Sequence, residues 1–222
     1  MIRIFALLAA LAALAGCGPE PVTRRTEILV LGDSVMAWNR LTDGAIADVI
    51  GRRLGVEVAD RSRNGATILG TAGETIPDQY RPGDYEWVIL DGGANDLQRR
   101  CNCNACQRTL NRLITPDGSG GAIVDLVRRA RADGARVLYL GTYRAPTGRR
   151  FFQGCDDELD EVDRRVKRLA ARDAGVLFVS GKDALDPNDP AHFFLDKLHP
   201  SPVGSARLGV LIANAIRASG GV

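Results

Sequence analysis

Aromatic residues, histidines and long apolar runs are all scarce in this chain of 222 residues. Phe, Trp and Tyr together make up 5% of the sequence, which predicts a core built mainly from aliphatic side chains. The chain has only two His, so few positions can offer an imidazole as a base. The formal charge is close to balanced at +2, and the Arg residues are scattered, which argues against nucleic acid as a partner.

No apolar run is long enough to cross a bilayer, which takes about 20 residues. The longest stretch, residues 4–14, follows Arg3 and is typical of a signal peptide core within residues 1–16. Residues 14–17 (LAGC) resemble the bacterial lipobox, in which the Cys becomes the lipidated first residue of the mature protein. The alternative is an ordinary signal peptide in which Cys17 is incidental.

The lipobox resemblance implies a protein exported to the periplasmic side of the bacterial envelope and anchored to the membrane through lipid on Cys17. Residues 17–26, which include two Pro, are then the lipidated N-terminus and its tether. Gly18 after the lipidated Cys favours the outer membrane.

Three short polar motifs supply the parts of an acyl-transfer site. Residues 32–34 (GDS) offer a hydroxyl, residues 93–96 (GAND) an amide, and residues 196–199 (DKLH) an imidazole preceded by a carboxylate. The first two motifs directly follow short apolar runs, residues 27–31 and 87–90, that are typical of buried strands. Because ligands bind at the C-terminal edge of the strands in open α/β sheets, we expect the motifs to meet there.

In this order the motifs resemble those of the SGNH branch of the GDSL hydrolases, from about Glu27 to the end of the chain. The resemblance maps the four letters of the family name onto Ser34, Gly65, Asn95 and His199. Gly65 is the loosest match, and Gly70 is the competing position.

The resemblance implies a role for each of these residues. Ser34 is the nucleophile, His199 the base, and Asp196 the carboxylate that holds the imidazole. The N–H groups of Ser34 and Gly65 and the amide of Asn95 form the oxyanion hole.

The expected activity is that of a serine ester hydrolase acting through an acyl-enzyme on a lipid, thio- or carbohydrate O-acyl ester. Two alternatives remain: an O-acyltransferase on exported glycans that uses the same site, and a non-catalytic carbohydrate- or lipid-binding lipoprotein. We predict no cofactor and no metal, with a small ester, lipid or acylated glycan as the partner in the site.

Four cysteines remain once Cys17 is set aside, and an exported protein can pair them. We predict two disulfides, one of them from Cys155, which link the loop that carries Asn95 to the loop after the next strand. The candidates are Cys101, Cys103, Cys106 and Cys155. The rival interpretation is a site in which four thiolates bind zinc.

Strands and helices alternate through residues 27–222, which predicts one α/β domain with a parallel sheet between two helical layers. Five predicted strands fit a flavodoxin-like three-layer α/β/α sandwich, which the family resemblance also implies. Thr42-Asp43 is a candidate N-cap for the first long helix, and Ser201-Pro202 begins the last one. Gly175 is expected to end the helix that precedes the fifth strand.

Three further residues carry open interpretations. Trp38 and Asn39 follow the nucleophile closely and either line a substrate pocket or, in the case of Trp38, pack on the sheet. His192 is interpreted as structural because it precedes an apolar segment.

Overall fold

The computed structural model describes residues 19–149 and 151–222. The predicted signal peptide and Cys17 lie outside the described residues. Within the described part of the chain, no helix combines the length and the apolar character needed to cross a bilayer.

Five parallel strands form the central sheet of the described residues, as the sequence predicts. Their order across the sheet is β2-β1-β3-β4-β5. The strands are β1 (Thr26–Leu31), β2 (Glu57–Asp60), β3 (Trp87–Leu90), β4 (Arg136–Gly141) and β5 (Val176–Ser180).

Helices cover both faces of the sheet, which confirms the predicted three-layer sandwich. The helices are α1 (Ser34–Ala37), α2 (Ile46–Leu54), α3 (Ala94–Cys101), α4 (Gln107–Leu113), α5 (Ala122–Ala132), α6 (Asp156–Ala170) and α7 (Pro202–Ala218). Alternate residues of β1 point to opposite faces: Ile28 packs with α2 and α7, whereas Leu29 packs with α3, α4, α5 and α6.

Two helix ends differ from the sequence prediction. The first long helix begins at Ile46 with Ala45 as its N-cap, because the Asp48 carboxylate accepts the N–H of Ala45 at 2.8 Å and replaces a capping side chain. Thr42 instead belongs to a short 3-10 turn, Arg40–Thr42. Helix α6 ends at Ala170, before the turn that leads to Gly175. The predicted cap at Ser201 does accept the N–H of Gly204 at 3.1 Å.

The order of the strands reverses between β1 and β3, and this switch point opens a crevice at their C-terminal ends. Helix α1 follows β1 there, and α3 follows β3. The sequence predicts a loop around Asn95, but this residue lies in the first turn of α3. Two motifs that are distant in sequence therefore meet at one crevice.

The chain before β1 is also held at this edge. The N–H of Glu20 donates to the carbonyl of Asp60 at 2.9 Å, and the Glu20 carboxylate accepts the N–H of Asp60 at 2.8 Å. Arg61 donates to the carbonyl of Glu20 at 2.9 Å. Because Asp60 ends β2, this segment leaves the domain beside the C-terminal ends of the strands.

Candidate active site

Ser34 is placed by a sharp turn between β1 and α1. Asp33 caps α1 by accepting the N–H of Val35 at 2.9 Å, and Ser34 is the first residue of the helix. The turn needs glycine at position 32, because a Cβ there would lie 2.1 Å from Oδ1 of Asp91 and 2.7 Å from Cγ of Met36. The GDS motif therefore sets the serine at the edge of the sheet.

The structure brings together the three residues of the predicted triad. The Ser34 hydroxyl lies 2.8 Å from Nε2 of His199, and Nδ1 of His199 lies 2.5 Å from Oδ2 of Asp196. The other carboxylate oxygen of Asp196 accepts the N–H groups of Leu198 and His199, each at 3.0 Å. The short DxxH turn therefore fixes both the imidazole and the carboxylate beside it.

The pKa of Asp196 is held below its ordinary value. Partial burial acts to raise this pKa, but the hydrogen bonds from the His199 ring and from the N–H groups of Leu198 and His199 outweigh it. The carboxylate therefore stays ionised at neutral pH, the form that orients an imidazole and stabilises its protonated state.

Asn95 lies beside the nucleophile, and hydrogen bonds hold its side chain in place. Its Nδ2 donates to Oδ2 of Asp33 at 3.1 Å and to the carbonyl of Ala66 at 3.0 Å. The amide therefore connects the turn before Ser34 with the segment that contains Gly65. A new oxyanion would share or replace one of these two hydrogen bonds.

Gly65 lies in the turn next to Ala66 and adopts a left-handed φ of +69°. A Cβ at this position would lie 2.9 Å from the guanidinium of Arg99. Among the described residues, no acceptor is found for the N–H of Gly65 or for that of Ser34. Gly70 lies further along the same segment and is exposed, whereas Gly65 directly precedes Ala66, whose carbonyl accepts from Asn95.

A profile of the GDSL-like lipase/acylhydrolase family matches residues 30–207, most of the chain. The chain belongs to this family. It is therefore a hydrolase that acts on esters, and the SGNH-type fold predicted from its sequence is confirmed. No curated protein sequence matches this GDSL hydrolase.

Solved structures of esterases share the fold of this GDSL hydrolase. An aryl esterase from M. smegmatis has a TM-score of 0.64 at 19% identity, over 87% of this chain and 99% of that chain. A carbohydrate acetylesterase from Sinorhizobium meliloti has a TM-score of 0.61 at 19% identity, again over 87% and 99% of the two chains. At these identities the likeness shows the fold alone.

Trp38 has a position in the hydrolase that neither sequence interpretation describes fully. Its ring stacks on the imidazole of His199, with the centroids 3.7 Å apart and the planes 2° from parallel. Phe194 meets the indole edge-on at 5.8 Å between centroids. Asn39 donates to the carbonyl of Pro200 at 3.1 Å, which joins the end of α1 to the segment that carries His199.

A pair of buried carboxyl groups lies behind the nucleophile. Oδ1 of Asp91 accepts the N–H of Asp33 at 3.0 Å. Burial, followed by the charge of Asp33, raises the pKa of Asp91 well above its ordinary value. Burial also raises the pKa of Asp33, although the N–H of Val35 and the charge of His199 oppose this. Ionisation of both carboxyl groups at once is therefore unfavourable.

Two further side chains, Gln79 and Asp96, brace the site of the GDSL hydrolase. The amide of Gln79 both accepts the N–H of Gly32 and donates to its carbonyl, each at 2.8 Å. The Asp96 carboxylate accepts the N–H groups of Ile68 and Leu69, each at 2.8 Å. The GAND motif thereby supplies Asn95 and also the carboxylate that fixes the neighbouring segment.

His192, interpreted as structural, is 4% exposed and lies outside the triad. Its Nδ1 accepts the N–H of Asp186 at 3.0 Å, and its Nε2 lies 3.3 Å from the Asp189 carboxylate. Both ring nitrogens are therefore used to hold the loop before α7.

The four described cysteines form two disulfides, Cys101–Cys106 and Cys103–Cys155. The second disulfide links the end of α3 to the start of α6. Cys155 therefore pairs with one of the other three cysteines, as the sequence predicts. All four described cysteines are in disulfides, so none of them is a thiolate that could bind zinc.

One recess opens onto the triad, and a second lies beside Trp38. A cavity of about 90 Å³ reaches from Ser34 and His199 to the ends of β3 and β4, with mostly apolar walls. A groove of about 590 Å³ is lined in part by Trp38 and Asn39, as one of the sequence interpretations expects. Pro19, Leu41, Arg63, Asn64 and Phe194 contribute to its lining. The recess beside Ser34 and the groove beside Trp38 are therefore separate spaces, and only the first is lined by Ser34 and His199.

Proposed function

We propose that this GDSL hydrolase cleaves its ester through an acyl-enzyme on Ser34. One observation carries the proposal: a continuous hydrogen-bonded line runs from Ser34 through His199 to Asp196, with steps of 2.8 and 2.5 Å. This is the arrangement in which a serine hydroxyl loses its proton to an imidazole as it attacks a carbonyl.

In the first half of the reaction, the Ser34 oxygen bonds to the ester carbonyl carbon while its proton passes to Nε2 of His199. The carbonyl oxygen becomes an oxyanion, and three donors are available to it: the N–H groups of Ser34 and Gly65 and the amide of Asn95. His199 then returns the proton to the departing alkoxide, which leaves as the alcohol.

In the second half, a water molecule attacks the carbonyl carbon of the acyl-enzyme while His199 takes a proton from that water. A second tetrahedral oxyanion forms and collapses, Ser34 recovers its proton from His199, and the acid is released. Asp196 remains ionised throughout and holds the imidazole by its Nδ1 side.

Labelling with a fluorophosphonate probe tests the nucleophile directly, because the probe bonds to an activated serine. We expect the native protein to label and to hydrolyse p-nitrophenyl acetate, and Ser34→Ala to lose both properties. Ser119→Ala, at an exposed serine far along the chain, is the control and should label normally. A Ser34→Ala protein that still labels, or that hydrolyses the ester at the native rate, would contradict Ser34 as the nucleophile.

We also propose that lipid on Cys17 anchors the enzyme on the periplasmic side of the envelope. The support comes from the lipobox-like sequence at residues 14–17 and from the apolar stretch before it. Metabolic labelling with a fatty acid should mark the protein, and Cys17→Ser should abolish the mark. A Cys17→Ser protein that still takes up the label would contradict the anchor.

A further inference from the structure

The cavity beside the triad has an aromatic wall. Tyr139, Tyr143 and Phe152 line it together with Leu159 and Leu198, while Ser34 and His199 lie at its opening onto the triad. The Tyr143 hydroxyl donates to the carbonyl of Leu198 at 2.7 Å, directly before His199 in the chain. An apolar recess placed so close to a nucleophilic serine suits the acyl side of an ester.

Phe152 has a strained backbone conformation. Its φ of +62° is in the left-handed region, which bulky side chains seldom adopt and which costs about 1–2 kcal/mol. Strain of this kind persists where the surroundings fix the backbone, and it is concentrated at functional sites. The conformation turns the ring of Phe152 toward the core cluster beneath α3 and α6.

Several bonds hold Phe152 against that strain. Its N–H donates to Oε1 of Gln98 at 2.9 Å, and its carbonyl accepts from the guanidinium of Arg149 at 2.9 Å and from the N–H of Cys155 at 3.3 Å. The disulfide Cys103–Cys155 ties the same segment to the chain that follows α3. Gln98 and Asn95 both lie in α3, so the same helix holds Phe152 and the amide proposed for the oxyanion hole.

We propose that the cavity is the acyl pocket of the enzyme and that Phe152 is its end wall, so that the preferred substrates are esters of short acyl groups. This inference rests on the proposed acyl-enzyme function. A cavity of roughly 150 Å³ holds one benzene molecule with its six carbons. By proportion, the cavity of about 90 Å³ holds an acyl group of up to about four carbons.

The test is the chain-length dependence of kcat/KM on p-nitrophenyl acetate, butyrate, hexanoate and octanoate. We expect the native enzyme to favour acetate and butyrate and to lose at least tenfold in kcat/KM from butyrate to octanoate. Native enzyme that hydrolyses octanoate as well as butyrate would overturn the inference.

Two substitutions at Phe152 should move the preference in opposite directions. Phe152→Gly enlarges the pocket and also relieves the left-handed strain, so the protein is expected to fold. Its kcat/KM for hexanoate relative to acetate should rise by about fourfold for each further methylene that the pocket buries. Phe152→Trp narrows the pocket and should lower butyrate hydrolysis relative to acetate.

Phe151→Gly is the matched control, because Phe151 is 53% exposed and is not among the residues that line the cavity. It should leave the chain-length profile unchanged. If Phe152→Gly and Phe152→Trp alter all four esters by the same factor, Phe152 does not limit the acyl chain.

The two proposals fail in different ways. If the native protein shows neither hydrolysis that depends on Ser34 nor probe labelling, the acyl-enzyme function is contradicted. Hydrolysis that depends on Ser34 but has a flat chain-length profile leaves that function intact and rejects only the acyl pocket.

Discussion

The imidazole of His199 is held both at its edge and on its face. Ser34 and Asp196 contact its two nitrogens, while Trp38 covers the ring at 3.7 Å between centroids. The hydrogen bonds set where the nitrogens point, and the indole limits how far the ring can tilt. Trp38 is therefore a positioning residue that acts through His199.

Replacing Trp38 with Leu should lower kcat by about tenfold with a smaller change in KM, because His199 samples more orientations in which proton transfer fails. Trp38→Phe retains a flat ring and should recover most of the loss. Steady-state kinetics on p-nitrophenyl acetate measures both effects. Equal rates for Trp38→Leu and the native enzyme would show that the stack does not orient the base.

Asn95→Ala should reduce kcat by about 100-fold or more, the effect of losing one oxyanion donor. The same change removes the buried hydrogen bonds to Asp33 and Ala66, so the free energy of unfolding should also fall, by about 1–3 kcal/mol. Kinetics below the unfolding temperature separate the two effects. A destabilised variant with native kcat would restrict Asn95 to a structural role.

Asp91 gives a prediction about pH. Because its pKa is raised in the folded protein, the native state holds a proton that the unfolded state releases, and the contribution of Asp91 to stability falls as pH rises above about 4. Asp91→Asn keeps the acceptor for the Asp33 N–H but carries no charge. Its free energy of unfolding, from urea titrations, should therefore fall less with rising pH. Exposed Asp125→Asn is the control, and identical slopes for all three proteins would contradict the assignment.

At the scale of elements, the strands are easier to predict than the helices near the site. Buried parallel strands such as Trp87–Leu90 are continuous apolar runs, which local sequence reveals. Helix α3 is mostly polar, and Leu97 is its one fully buried aliphatic side chain among the described residues, so its apolar pattern is too weak to detect. The start of α2 is missed because its support comes from Asp48 inside the helix.

The two disulfides should differ in their effect on stability. Cys103–Cys155 spans 52 residues and Cys101–Cys106 spans 5. By lowering the loop-closure entropy of the unfolded chain, the first disulfide is expected to stabilise the fold by about 4 kcal/mol and the second by about 2 kcal/mol. The double substitution Cys103→Ser with Cys155→Ser should lower the free energy of unfolding more than the equivalent change at Cys101 and Cys106. Urea unfolding checks the order, and the reverse order would contradict it.

Across the whole molecule, the sequence reveals residues that do chemistry better than residues that support them. Ser34, Asp196 and His199 stand in short motifs whose types and order carry the signal. Gln79 reaches Gly32 across 47 positions of chain, and no local pattern announces such a contact. The left-handed Phe152 is equally hidden, because its conformation depends on partners in α3 and α6.

The hydrogen bonds between Glu20 and Asp60 also bear on where the enzyme can work. Cys17 precedes Glu20 by three residues, which span at most about 10 Å even when fully extended. With the proposed lipid on Cys17, the groove lined by Pro19, Leu41 and Phe194 would lie close to the lipid headgroups. An enzyme anchored in this way would meet esters only at a fixed height above the bilayer, and distance from the membrane would become part of its selectivity.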